Sequence, residues 1–278
     1  MSFTLNIIAI VCPLLLLTAG ALVSEYAGRM ALFLDGVINL SAYLCYALTL
    51  CTDSVVWGTI LSCLICTALT FCFERIASKY KANMFLAALA LNLLFTALVS
   101  FLSSVQFGTR GVLYSTNFSF SAQTTRIVTS ILCALLSAIV LLFLSFTKQG
   151  LRMRITGSSP EVLIAQGINA DTYRCLSWIC ASLCASVTGC VYVIRLNSFV
   201  PGMAGGRGWT ALAAVFLGRK HPALVVAAVA VFALADYASS YAQNIPQLQN
   251  ISSSLLFALP YLLALLLIAL TPQNQHSS

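Results

Sequence analysis

The sequence predicts an all-α polytopic membrane protein of about eight hydrophobic helices, with two discontinuous segments. Three observations carry this. Of its 278 residues, 60% are hydrophobic and 8% charged, and mean hydropathy is +0.96, whereas soluble domains carry about 25% charged residues. Apolar runs recur at close to the ~20 residues that span hydrocarbon as an α-helix. Helix-breaking residues interrupt two stretches, 24–36 and 199–222. Broken backbone persists at membrane depth only where protein or a water-filled cavity covers it. One integral membrane domain is expected over residues 1–278, with no soluble domain attached.

The candidate helices are the apolar runs at 5–23, 30–50, 54–73, 84–104, 127–147, 175–195, 209–236 and 252–270. The first has no basic residue before it and no clear small-residue cleavage site, so it reads as a retained helix. Segment 30–50 contains Asp35 and Gly36 and reads as interrupted. Segment 209–236 meets Gly218, Arg219, Lys220, His221 and Pro222, which divide it into two pieces. Pro260 is expected to kink the last helix.

Basic residues cluster at Arg75, Lys79 and Lys81, at Lys148, Arg152, Arg154 and Arg174, and at Arg219 and Lys220. Short loops rich in Lys and Arg face the cytoplasm. This puts loop 74–83, loop 148–174 and the 218–222 turn inside. It puts loop 105–126 outside, with its polar Gly108, Gly111, Ser115, Thr116 and Asn117. The side of the N-terminus stays open, because it depends on whether 30–50 crosses fully. The net charge of +7 is therefore a topological signal rather than a nucleic-acid surface.

The eleven cysteines lie mostly inside apolar runs. Cys63 and Cys66 have CxxC spacing, and Cys180 and Cys184 stand one turn apart, but His221 and His276 are distant and alone. The thiols read as small apolar filler, and no disulfide framework, metal site or cofactor is expected. There is no Walker A string, HExxH or GxSxG, so this chain is not expected to bind ATP or act as an enzyme.

Function is expected in three stretches. FVPGMAGGRGWTALAAVFLGRKHP at 199–222 carries five glycines, two prolines and three basic residues. SEYAGRMALFLDG at 24–36 weakly echoes PGMAGGRGWTALA at 201–213, and paired interruptions of this kind point to a transporter's binding site. Loop 148–174 opens with the cationic run GLRMRI. Ser159, Pro160 and Glu161 then form a helix start, and Gly167 a stop, around a short helix at 161–166. Such a helix across the membrane plane is a protein-docking device, with an ordinary interfacial helix as the alternative.

Single polar residues leave more than one reading open. Asp35 in an apolar run costs about 2.5–3.5 kcal/mol on insertion scales, so it must meet a partner, a cavity or the interface. Asn92 suits a helix–helix hydrogen bond. Asp236, near a helix end, suits snorkelling. Trp209 suits either stacking on a planar ring or interfacial anchoring.

GLRMRITGSSPEVLIAQGIN resembles the coupling loop of ABC-importer permeases, where a short cytoplasmic helix seats in a groove on the ATPase subunit. SEYAGRMALFLDG resembles that family's glutamate–x–x–glycine run, which ends in an acidic–glycine pair. KANMFLAALALNLL at 81–94 resembles its apolar motif with a buried asparagine, here Asn92. The 199–222 segment is similar to its glycine-rich segment nearly throughout. The resemblance covers roughly residues 20–240. The chain departs from the pattern at Tyr26, Ala31, Phe33 and Asp35, where arginine, asparagine, glycine and glutamate are frequent.

The motifs are most similar to the nucleoside and riboflavin branch of the branched-chain amino acid and ribose permease superfamily. The resemblance implies the shorter permease of a pair, with an ABC ATPase subunit, a second permease subunit (a paralogue or itself) and an extracytoplasmic substrate-binding lipoprotein as partners. It implies residence in a bacterial inner membrane and an internal inverted repeat. A purine nucleoside is the first expected cargo and riboflavin the second. An ion-gradient-driven carrier, or a permease for a sugar or branched-chain amino acid, is the alternative. The candidate pathway residues are Asp35, Asn39, Asn92, Met203, Arg207, Trp209 and Thr210. Gly28, Gly36, Pro201, Gly202, Gly205, Gly206 and Gly208 are the candidate break and gating residues. Gly157, Ser159, Pro160, Glu161, Ala165 and Gly167 are the candidates for ATPase coupling.

Overall fold

Leucine-, alanine- and valine-rich runs leave the backbone no competitor to its own i→i−4 hydrogen bonds, and they form long helices. The computed structural model describes residues 3–115, 118 and 120–242. Among these, seven helices are long and apolar enough to cross a bilayer. They are α1 (Phe3–Tyr26), α2 (Leu34–Thr52), α3 (Val55–Lys79), α4 (Met84–Phe107), α5 (Ala122–Phe146), α8 (Ala170–Leu196) and α10 (Pro222–Ala242). Three shorter helices connect them: α6 (Lys148–Ser158), α7 (Pro160–Ala165) and α9 (Arg207–Leu217). The expected helix at 252–270, the kink at Pro260, and Thr116, Asn117 and His276 lie outside the described residues.

Local chemistry sets the ends. The Asn83 side chain accepts from Phe85 N (3.0 Å) to start α4, and the Asn169 side chain accepts from Asp171 N (2.9 Å) to start α8. Thr147 does the same for Gly150 N (3.0 Å) at α6. Asp53 and Asn197 turn left-handed at the ends of α2 and α8.

Helices α1, α2 and α8 form the buried centre of the bundle. Leu17, Leu22, Val37, Ile38, Leu40 and Trp178 fill it, with Phe33 edge-on to Trp178 at 4.9 Å between ring centres. Helices α3, α4 and α5 turn apolar faces outward, through Leu64, Leu93, Ile131 and Leu135 among others. In lipid these exposures carry no penalty, and helices associate through close packing and buried hydrogen bonds instead. The seams show both. Thr70 and Ser182 share a hydrogen bond of 2.9 Å between α3 and α8, and Ser62 meets the Cys190 thiol at 3.0 Å. Gly20 of α1 faces Cys184 of α8 with no room between them.

The two ends of the bundle differ in charge. At one end Arg29 bridges Glu74 and Asp171, Arg174 pairs with Asp171 (3.1 Å), and Lys220 pairs with Glu25 (2.8 Å). Of the 14 Lys and Arg residues, all but Arg110, Arg126, Arg195 and Arg207 sit at this basic end. At the other end Arg126 reaches Asn6 (3.4 Å), and Arg195 reaches Ala9 O, Thr129 (2.7 Å) and Ser130 (2.9 Å). There β1 (Leu113–Tyr114) pairs antiparallel with β2 (Ser198–Phe199). The described chain thus starts at the end opposite the basic one.

Four boundaries differ from expectation. Helix α2 is continuous from Leu34. The interruption expected within 30–50 lies before it, at 27–33, and Asp35 and Gly36 belong to its first turn. The GLRMRI run is helical rather than loop, forming α6. The outer loop contributes a two-residue strand, too short to carry any alternation in sequence. Helix α10 runs six residues beyond 236, so Asp236 is inside a helix rather than near its end. Replacing Gly20 by Ala would put a Cβ 2.8 Å from Cys184 Cβ. We expect Gly20→Ala to cost about 1–3 kcal/mol of stability, read as a lower unfolding temperature in detergent.

Candidate functional site

Both irregular stretches follow a long helix, and the two helices run in opposite directions. Helix α1 breaks at the basic end, over 27–33; α8 breaks at the other end, over 197–206. The broken pieces meet at the start of α2. Asp35 and Asn39 stand one turn apart on one face of α2. The Asp35 carboxylate accepts from Gly208 N (2.7 Å), and the Asn39 amide oxygen accepts from Ala204 N (3.0 Å). From the opposite side, the Asn92 oxygen of α4 accepts from Gly36 N (2.6 Å). All three side chains therefore satisfy backbone N–H groups that no helix pairs.

The approach is close. A Cβ on Gly208 would lie 2.8 Å from Asp35 N, and one on Gly36 would lie 2.7 Å from Asn92 O. Gly206, with φ +79°, starts α9 from the left-handed region that favours glycine. Pro201, Gly202 and Gly205 lie on the exposed part of the preceding turns. Thr210 is buried and returns its hydroxyl to Gly206 O (3.3 Å) and Arg207 O (3.0 Å). Trp209 is 43% exposed on the outer face of α9, which it shares with Phe216.

Met203 and Arg207 flank the break and line a cavity of about 400 Å³. Its other polar walls come from Arg126, Tyr192, Arg195, Asp236 and Tyr237. The Arg207 guanidinium donates to Met203 O (3.0 Å) and lies 4.6 Å from the centre of the Tyr192 ring. Of the expected pathway residues, the structure brings Met203 and Arg207 to this cavity. It places Asp35, Asn39 and Asn92 on the backbone instead, and Trp209 on an outer surface. Sequence reasoning missed Tyr192, Arg195 and Arg126. Arg195, a cation at the end of an apolar run, was the available signal.

At the basic end, Gly28 of the first break touches Gly157 of α6: a Cβ on Gly28 would lie 3.2 Å from Gly157 Cα. The Arg154 guanidinium lies 4.8 Å from the centre of the Tyr26 ring, and the Tyr26 hydroxyl donates to Lys220 O. Helix α7 starts at Pro160 after Ser159, whose side chain makes no capping bond. Ala165 is its last residue, and Gly167 turns left-handed beyond it. Glu161 is exposed, and so are Val162 (48%) and Ile164 (64%).

Residues 3–269 match the family model described as branched-chain amino acid transport system / permease component. The chain is 25% identical to the nucleoside ABC transporter permease protein NupC of Lactococcus lactis subsp. cremoris, over 95% of this chain and 90% of that protein. It is 24% identical to the guanosine ABC transporter permease protein NupQ of Bacillus subtilis, over 91% and 86%. Among solved structures it is similar to PsaBC from Streptococcus pneumoniae in complex with Fab, with a TM-score of 0.57 and 16% identity over 98% of this chain and 92% of that one. The fold is that of ABC transporter permeases.

The clamp gives a prediction. Asp35→Leu strands Gly208 N without an acceptor and is expected to cost about 1–3 kcal/mol. Asp35→Asn keeps an oxygen in place and is expected to cost less than half of that. Thermal unfolding of both variants in the same detergent checks the order.

Proposed function

We propose that this chain, which belongs to the branched-chain amino acid transport system permease component family, carries a purine nucleoside across the membrane as one permease subunit of an ATP-driven importer. The observation that carries the reading is the second break and α9 fastened to the start of α2 by Asp35 and Asn39, with Asn92 holding that same turn from α4, beside a polar, aromatic-walled cavity. Two discontinuous helices meeting at one place is the arrangement from which transporters build a gated route. A cavity of about 400 Å³ falls within the size range of small-molecule sites. Tyr192 and Tyr237 offer faces to a planar ring, while Asp236 and the arginines offer partners to ring nitrogens and sugar hydroxyls. The nucleoside and guanosine permeases among its relatives support the cargo class. Riboflavin is the second ring-bearing candidate.

The basic end faces the cytoplasm in this reading, which places the chain in the cytoplasmic membrane of a bacterium. One permease domain spans residues 1–278, segment 148–174 is its coupling loop, and 199–222 is its broken segment. Helix α7 is the ATPase-docking element, with Val162 and Ile164 as the apolar contact and Glu161 beside them. Movement of α6 and α7 reaches the first break through the contact between Gly157 and Gly28. Alternating access then amounts to a population shift between two packings of the broken segments, driven by the ATPase pair. A second permease completes the pore, and an external binding lipoprotein delivers the cargo.

Uptake of radiolabelled guanosine, adenosine and riboflavin, compared between a deletion strain and its complemented counterpart, tests the cargo. Purine nucleoside uptake is expected to fall at least tenfold with riboflavin uptake unchanged; the reverse pattern overturns the assignment. The double variant Val162→Asp with Ile164→Asp is expected to lose copurifying ATPase while its thermal unfolding stays within about 1 kcal/mol of the parent, as surface substitutions do. Full retention of the ATPase would remove α7 from the coupling role.

A further inference from the structure

Helices α3 and α4 both pack on α2, and α3 packs on α8 as well. They part toward their connecting turn and leave a groove of about 440 Å³, lined by Phe73, Ile76, Tyr80, Asn83, Leu86 and Ala90 with small residues between them. The groove lies on the outward face of the bundle, among exposed apolar side chains, where hydrocarbon meets the protein. Its basic end carries Arg75, Lys79 and Lys81. Three other cations at this end meet acids: Arg29 meets Glu74 and Asp171, Arg174 meets Asp171, and Lys220 meets Glu25. Among the described residues, the side chains of Lys79 and Lys81 have no hydrogen-bond or ion-pair partner. The nearest acid in sequence, Glu74, is buried and committed to Arg29. Arg75 sits 5.2 Å from the centre of the Phe71 ring and adds to the field. Tyr80, 76% exposed beside the lysines, is the amphipathic ring type that settles at the headgroup level.

An apolar trough whose lining residue Tyr80 is flanked in the chain by two exposed lysines is complementary to an amphiphile with one anionic head. We propose that the α3–α4 groove is a site for an anionic phospholipid, with its phosphate on Lys79 and Lys81 and one acyl chain along Ile76, Leu86 and Ala90. Basic pockets between membrane helices recognise such headgroups by charge. Lys79 and Lys81 are exposed on either side of Tyr80, which lines the groove, and long lysine stems let the ammonium heads stay at the polar surface.

The test uses the full chain in nanodiscs containing a diazirine-tailed phosphatidylglycerol or its phosphatidylcholine analogue, with cross-links mapped by peptide mass spectrometry. We expect labelling within 73–90 to favour phosphatidylglycerol by roughly thirtyfold at low salt, because each of the two lysines near the surface contributes about 1 kcal/mol. That preference should fall toward unity in Lys79→Ala with Lys81→Ala, and in 1 M salt, which screens exposed charges. Ala90→Leu, at an exposed position, should reduce labelling by both lipids. Equal labelling by the two lipids, or a preference that survives the double lysine variant, overturns the proposal. So does protection of 73–90 from both lipids once the complex is assembled, which would assign the groove to a protein subunit.

Discussion

Everything in this fold answers to one constraint: two stretches of non-helical backbone sit within a membrane protein, and their N–H groups must find acceptors. Water is not available to supply them at depth, and an unmet backbone donor there costs several kcal/mol. Asp35 and Asn39 meet that need for the second stretch and the first turn of α9, at 2.7 and 3.0 Å, and Asn92 meets it for the first turn of α2, at 2.6 Å. Two of the three come from successive turns of one helix, so α2 acts as the rail to which the broken segment is fastened. The central burial of α2 follows from this, as does its start at Leu34, well short of the basic end that α3 reaches at Lys79.

The same constraint explains why glycine recurs where it does. Hydrogen bonds from Gly208 to Asp35 and from Gly36 to Asn92 require backbones to come within van der Waals distance of another helix. A single methyl group would hold them apart. Residues that look like flexible joints in sequence are, at these two places, the tightest points of the structure.

Much of this was legible beforehand. The long helices follow from apolar runs of spanning length, and α9 and α10 separate at the turn marked by Gly218 and Pro222. The α7 start at Pro160 follows from its flanking residues. The family could be read from the motifs at 24–36, 81–94, 148–174 and 199–222. What resisted reading was partnership. Sequence places Asp35 in an apolar run but does not say that Gly208, 173 positions away, is its donor. It placed the first interruption over 24–36, and the break at 27–33 falls inside that stretch. Asp35 stands just beyond the break, as a fastening. Tyr192, Arg195 and Arg126 escaped notice because their cavity is assembled from five helices, some of them distant in sequence. The paired strands at 113–114 and 198–199 are too short to leave a periodic trace.

The contact between Gly28 and Gly157 has a consequence for how such a protein can diversify. Side-chain contacts can be tuned in small steps, one methylene or one rotamer at a time. Two peptide backbones in direct contact offer no such adjustment: the pair is either in register or sterically excluded. A Cβ on Gly157 would lie 2.2 Å from Tyr26 O, so this junction tolerates no side chain. If the proposed coupling runs through it, its stroke is set by main-chain geometry, and the side chains around the cavity are the part left free to vary.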